Sequence, residues 1–164
     1  MDGANVAWQT AIALGMFAGR TCFGLIARPG NLKIILLAAG LCTIPVTLLL
    51  TVLTPDMFGS RILLFALLFF LLFLAGIGIA PYWPTLQVYG VHQLPQLDST
   101  MLYIYFSAMG IPGCGFFTWI MGVCGDRFGL KNSFFLIPAS LVLFSLLVFL
   151  EGWVFPKKNP AEEK

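Results

Sequence analysis

Few side chains in this 164-residue sequence could do chemistry, and those few are not spaced for catalysis. The one histidine, His92, has no carboxylate pair or serine beside it that would complete an acid–base couple or a nucleophilic triad. Cys22, Cys42, Cys114 and Cys124 form no C-x-x-C pair, and no histidine completes a zinc-like spacing. They read as small hydrophobes for burial. No enzymatic activity, metal site or cofactor is expected. Polar and aromatic groups embedded in apolar runs remain. Arg20 is the only charge between Val6 and Ala27. An arginine at membrane depth faces a bundle interior or a water-filled cavity unless it snorkels to the interface. Trp83 and Gln87 lie four apart on one helical face, a stacking surface beside an amide able to bond hydroxyls. The competing reading places Tyr82, Trp83 and Tyr89 in an interfacial aromatic belt. Tyr103 and Tyr105 complete the set of cavity-facing or gating candidates.

The elements that must position these groups follow from composition. Hydrophobic residues make up 59% and charged residues 10%, where a soluble domain carries about 25% charged residues. Mean hydropathy is +0.94. A net charge of +2 is too small for a nucleic-acid footprint, and Asp2 stands where a secretory signal would carry a basic segment. An integral membrane protein fits, with the lipid bilayer as its first partner. A spanning helix needs about 20 mostly apolar residues. Five segments qualify: residues 6–27, 34–53, 62–84, 101–123 and 134–150. Without period-2 alternation a barrel is a poor alternative, and the apolar runs must be helices, since lipid offers no partner to an unpaired backbone amide. The expected fold is all-α, a bundle over residues 1–155 followed by a polar tail over 156–164. Thr54-Pro55-Asp56 reads as a turn, and Glu151 with Trp153 closes the fifth span at the interface.

Five spans put the termini on opposite faces. With the tail inside, Arg28, Lys33, Lys157, Lys158 and Lys164 lie inside, and Arg61, Arg127 and Lys131 outside. This balance favours a cytoplasmic C-terminus.

Several motifs concern packing and bending. Gly15 and Gly19 share a face open to close helix approach. The run Gly76 to Tyr89 contains Pro81 and Pro84, which should bend or break the third span. Gly110-Ile111-Pro112-Gly113-Cys114-Gly115 marks a pliable, protein-packed helix. Asp126, Arg127 and Gly129 make a tight charged turn before Lys131. Gly24, Arg28, Gly30 and Lys33 echo Gly122, Arg127, Gly129 and Lys131 three spans later, as inverted repeats do.

Together these motifs resemble a major facilitator superfamily transporter. Gly15 to Lys33 looks like the eighth helix and its loop, and Gly76 to Thr85 like the tenth. Gly110 to Phe135 looks like the eleventh helix, the Gly-x-x-x-Asp-Arg-x-Gly turn and the start of the twelfth. The overall look is that of bacterial sugar-permease-like members. The resemblance implies transport of a small, sugar-like solute across the cell membrane, with a cytoplasmic C-terminus. Ala27-Arg28-Pro29 departs from the pattern, lacking the acidic residue often found before that arginine. Only helices eight to twelve are represented, so the chain resembles a fragment whose cavity needs the missing N-terminal helices or a complementary half. A non-transporting membrane scaffold or assembly subunit is the alternative.

Overall fold

The computed structural model describes residues 3–28, 30–53 and 59–154. The Thr54-Pro55-Asp56 turn, the Trp153 side chain and the polar tail lie outside what is described. Seven helices follow one another: α1 (Gly3–Ile26), α2 (Leu32–Val52), α3 (Arg61–Ile79), α4 (Tyr82–Gln93), α5 (Ser99–Phe128), α6 (Leu130–Ser133) and α7 (Leu136–Val154). Among the described residues there is no strand. Four stretches are long and apolar enough to cross a membrane: Leu32–Val52, Arg61–Gln93, Ser99–Phe128 and Lys131–Glu151. The 24-residue α1 has the length, but Gln9, Thr10 and Arg20 dilute its apolar character.

Large apolar side chains point outward around the bundle, among them Phe17, Leu25, Leu41, Ile62 and Ile111. Such a surface is stable only against an apolar solvent, which makes this a multi-pass membrane protein.

Side-chain pairs fix the helix directions. The Trp8 and Phe65 rings lie tilted against each other with centroids 4.5 Å apart, and Gly19 meets Ile77 and Ala80, so α1 and α3 run parallel. Lys33 pairs with Glu151 and Gly40 lies against Ser145, so α2 and α7 are antiparallel. Gly90 on Phe106 and Trp83 on Gly110 make α4 and α5 antiparallel. Hence α1, α3–α4 and α7 point one way, and α2 and α5 the other. The start of α1 and the end of α7 therefore lie at opposite ends of the bundle.

The α2 helix is central and touches α3, α4 and α7. Its buried stripe is apolar in the first half, with Leu32, Ile35, Leu36 and Ala39, and polar in the second, where Thr43, Thr47 and Thr51 follow at four-residue intervals. Each hydroxyl donates to a carbonyl of its own helix, Thr43 Oγ1 to Ala39 O at 2.6 Å, so none needs water. Gly78 of α3 packs directly on Thr43.

Several expectations are corrected. The cysteines are not core residues: Cys22, Cys42 and Cys114 are exposed and Cys124 half-buried, on faces turned outward. The third span continues to Gln93 rather than stopping near residue 84. Its interruption falls at Ala80–Pro81, because Pro81 has no N–H for the Ile77 carbonyl. Pro84 sits in the first turn of α4, where backbone N–H groups have no intrahelical partner anyway, so it breaks nothing. Pro112 leaves α5 one continuous helix of 30 residues. Of Gly110, Gly113, Gly115 and Gly122 on that helix, only Gly110 is packed against protein, since a side chain at the other three would meet nothing within 4 Å. The Gly15/Gly19 face finds its partner within the chain, on the backbone of Phe73, Gly76 and Ile77.

Candidate functional site

A cavity of about 510 Å³ opens between the second half of α1, the start of α2 and the first turns of α4. Two features of the backbone create it. Gly15, Gly19 and Gly76 bring α1 and α3 into backbone contact up to the interruption at Pro81. Ile77 O, the carbonyl that Pro81 cannot satisfy, stands 2.7 Å from where a Gly19 Cβ would be. Beyond that point α4 takes over from α3, and the space it leaves beside α1 is the cavity.

On α1 the wall is one helical stripe: Arg20, Gly24 and Ala27 recur at helical spacing, and Arg28 follows. Facing them are Pro81, Trp83, Pro84, Thr85 and Val88. Pro81 and Thr85 are buried, and Thr85 N donates to Pro81 O at 3.0 Å, holding the first turn of α4 closed. The site thus joins two guanidinium groups, an indole and one hydroxyl on otherwise apolar walls. No acidic residue lines it. Among the described residues no three of His, Cys, Asp and Glu converge.

Of the five cavity or gating candidates, the structure brings two together here, Arg20 and Trp83. Trp83 also lies against Gly110 of α5, where an added Cβ would come within 3.1 Å of Cζ2. Gln87 shares that face of α4, and its Nε2 donates to Ser107 Oγ at 3.2 Å. Gln87 therefore ties α4 to α5 and does not line the cavity. Tyr103 and Tyr105 are exposed on α5 and line no described cavity.

The loop motifs separate in the same way. Arg28 contributes its side chain to the cavity, while its carbonyl accepts from Asn31 N at 2.8 Å. Gly30 stands in open space. Lys33 faces Glu151, with Nζ 3.4 Å from Oε2. Asp126 and Arg127 are exposed near the end of α5 without a described ion pair between them. Gly129 has φ +88° and ψ 147°, a conformation close to glycine-only, and it makes the turn into α6. Lys131 lines a second, largely apolar cavity of about 430 Å³ at the opposite end of the bundle, with Thr47 and Thr51.

Sequence reasoning missed two things. The first is Arg28, Pro81 and Thr85 as cavity residues. The helical repeat from Arg20 through Gly24 to Ala27 was the available signal. The second is a polar hub at Glu151, which accepts from Lys33, from Gln93 Nε2 at 2.9 Å and from Tyr89 OH. No sequence signal links residues this far apart. The hub joins α2, α4 and α7 at the end of the bundle where α1 also terminates. No family model, curated protein or solved structure matches this chain.

Proposed function

We propose that this chain is the C-terminal part of a major facilitator-type secondary transporter moving a small solute across the cell membrane. The observation that carries the reading is the cavity at the Pro81 interruption, where Arg20 and Trp83 meet. Interrupted helices beside an internal cavity are how such transporters build solute sites near the membrane midplane. The motif order described above is the second support, and the parallel course of α1 and α3 is the third. If α1 also spans, five crossings result, with the polar tail, the Glu151 hub and Arg28 on the cytoplasmic face.

Five helices form one wall of a transport pathway. Gly115 and Gly122, seven residues apart on one face of α5 and free of neighbours, leave that face open to further helices, which the missing N-terminal part would supply. In liposomes the chain alone is expected to show no saturable uptake of labelled glucose, gluconate or glucose 6-phosphate. Joined with the seven preceding helices, it is expected to take up at least one of them. Saturable uptake by the chain alone, lost on Arg20→Ala, would refute the need for a second part. No uptake by the joined pair would favour the scaffold alternative.

A further inference from the structure

Arg20 and Arg28 both line the cavity, and no carboxylate does. The one ion pair among the described residues is Lys33–Glu151, so neither guanidinium is neutralised by a described carboxylate. Both arginines are exposed within the chain itself, and in a membrane-embedded bundle a guanidinium without an opposite charge or water beside it is costly. The remaining surface is the Trp83 indole, the Phe23 ring, the Thr85 hydroxyl, prolines, a glycine and aliphatic side chains.

We infer that the cavity binds a solute bearing a carboxylate or phosphate, with Arg20 and Arg28 on the anionic group and Trp83 against its body. The guanidinium is the side chain best matched to these anions, since its planar fork donates two parallel hydrogen bonds. A cavity of about 510 Å³ is within the range that holds small organic ligands. The inference names the solute class of the site proposed above and rests on that reading. It narrows the sugar-like expectation to members that carry a negative charge. An anionic lipid headgroup offers the same chemistry, and the experiment separates the two sources.

The full chain is placed in nanodiscs of phosphatidylcholine and titrated calorimetrically with benzoate, phenyl phosphate and the neutral isostere benzamide. Benzoate or phenyl phosphate is expected to bind at least about tenfold more tightly than benzamide. Arg20→Gln and Arg28→Gln should each weaken that binding by roughly 10- to 100-fold. Arg20→Lys should fall between, keeping the charge and losing the fork. A second arm measures retention of phosphatidylglycerol by native mass spectrometry. Arginine-dependent lipid retention without benzoate or phenyl phosphate binding would assign the anionic site to a headgroup. Benzamide binding as tightly as both anions would overturn the inference, as would Arg→Gln variants that change neither arm, or no binding in either. The uptake assay above then still judges the transporter reading by itself.

Discussion

Replacing Gly76 by alanine should separate α1 from α3, and the size of the effect follows from the seam. An ideal Cβ on Gly76 would stand 2.6 Å from Ile12 O, 3.1 Å from the Gly15 Cα and 3.1 Å from Met16 N. All three are backbone atoms of α1, so no side-chain rotation relieves the clash. To restore ordinary contact, α1 must retreat by roughly 0.8 Å, and a gap of that order forfeits a quarter to a half of each dispersion well along the seam. Overpacking of this kind costs about 1–3 kcal/mol, offset by up to about 1 kcal/mol of helix propensity gained from alanine. A net loss of about 1–2 kcal/mol is expected. Gly113→Ala is the matched control, because its Cβ meets nothing within 4 Å. That variant should be neutral or up to about 1 kcal/mol more stable. The assay is SDS titration in mixed micelles followed by Trp8 fluorescence, with Trp83, Trp119 and Trp153 replaced by phenylalanine. Trp8 reports directly because its ring lies against Phe65 across this seam. If Gly76→Ala is no less stable than Gly113→Ala, the reasoning from backbone contact is wrong.

Other outcomes follow from single features. Gly129→Ala should cost about 1–3 kcal/mol, because at φ +88° the strain is conformational and no neighbour clashes, whereas Gly30→Ala should be silent in the same titration. Glu151→Ala removes the acceptor of Lys33, Tyr89 and Gln93. With the ion pair half-exposed and partly screened, the loss should be about 1–3 kcal/mol, and thermal unfolding in detergent measures it. Pro81→Ala returns an N–H to the Ile77 carbonyl and should straighten α3 into α4. Spin labels at Ile62 and His92 should then move apart in electron–electron resonance, and an unchanged distance would show that packing, not proline, sets the interruption.

Much of the fold could be read from the chain because lipid permits so few alternatives. Apolar runs of spanning length must be helices, and the break at Pro81 follows from a missing donor. Yet Pro84 and Pro112 bear the same chemistry without the same result. Position within the helix decides for Pro84, which falls in a first turn where no bond is lost; Pro112 lies inside α5, and nothing in the structure explains why the helix runs through it unbroken. The exposed cysteines mark a second limit. In a membrane protein apolar character does not tell inside from outside, since both lipid and core accept it. The Gly15/Gly19 face was recognisable as a packing surface, but its partner, Gly76, required knowing that α1 and α3 run parallel. Of the site, Arg20 and Trp83 stood out as polar or aromatic groups in apolar surroundings. Gln87, equally conspicuous, is taken up by Ser107, a choice that depends on the approach of α5. Glu151 was read as an interfacial end to its span, and three donors from two other helices converge on it.

If the cavity between α1 and α4 is the proposed solute site, water must reach its walls in the membrane. The four native cysteines are replaced by alanine, and single cysteines are placed at Gly24 and Val88 on the cavity wall and at Leu41 on the outer face of α2. In reconstituted membranes, cysteines at Gly24 and Val88 are expected to react with a charged, water-soluble methanethiosulfonate, and one at Leu41 to remain unmodified. Positions 24 and 88 as unreactive as position 41 would mean that lipid fills the cavity, contradicting the transporter account.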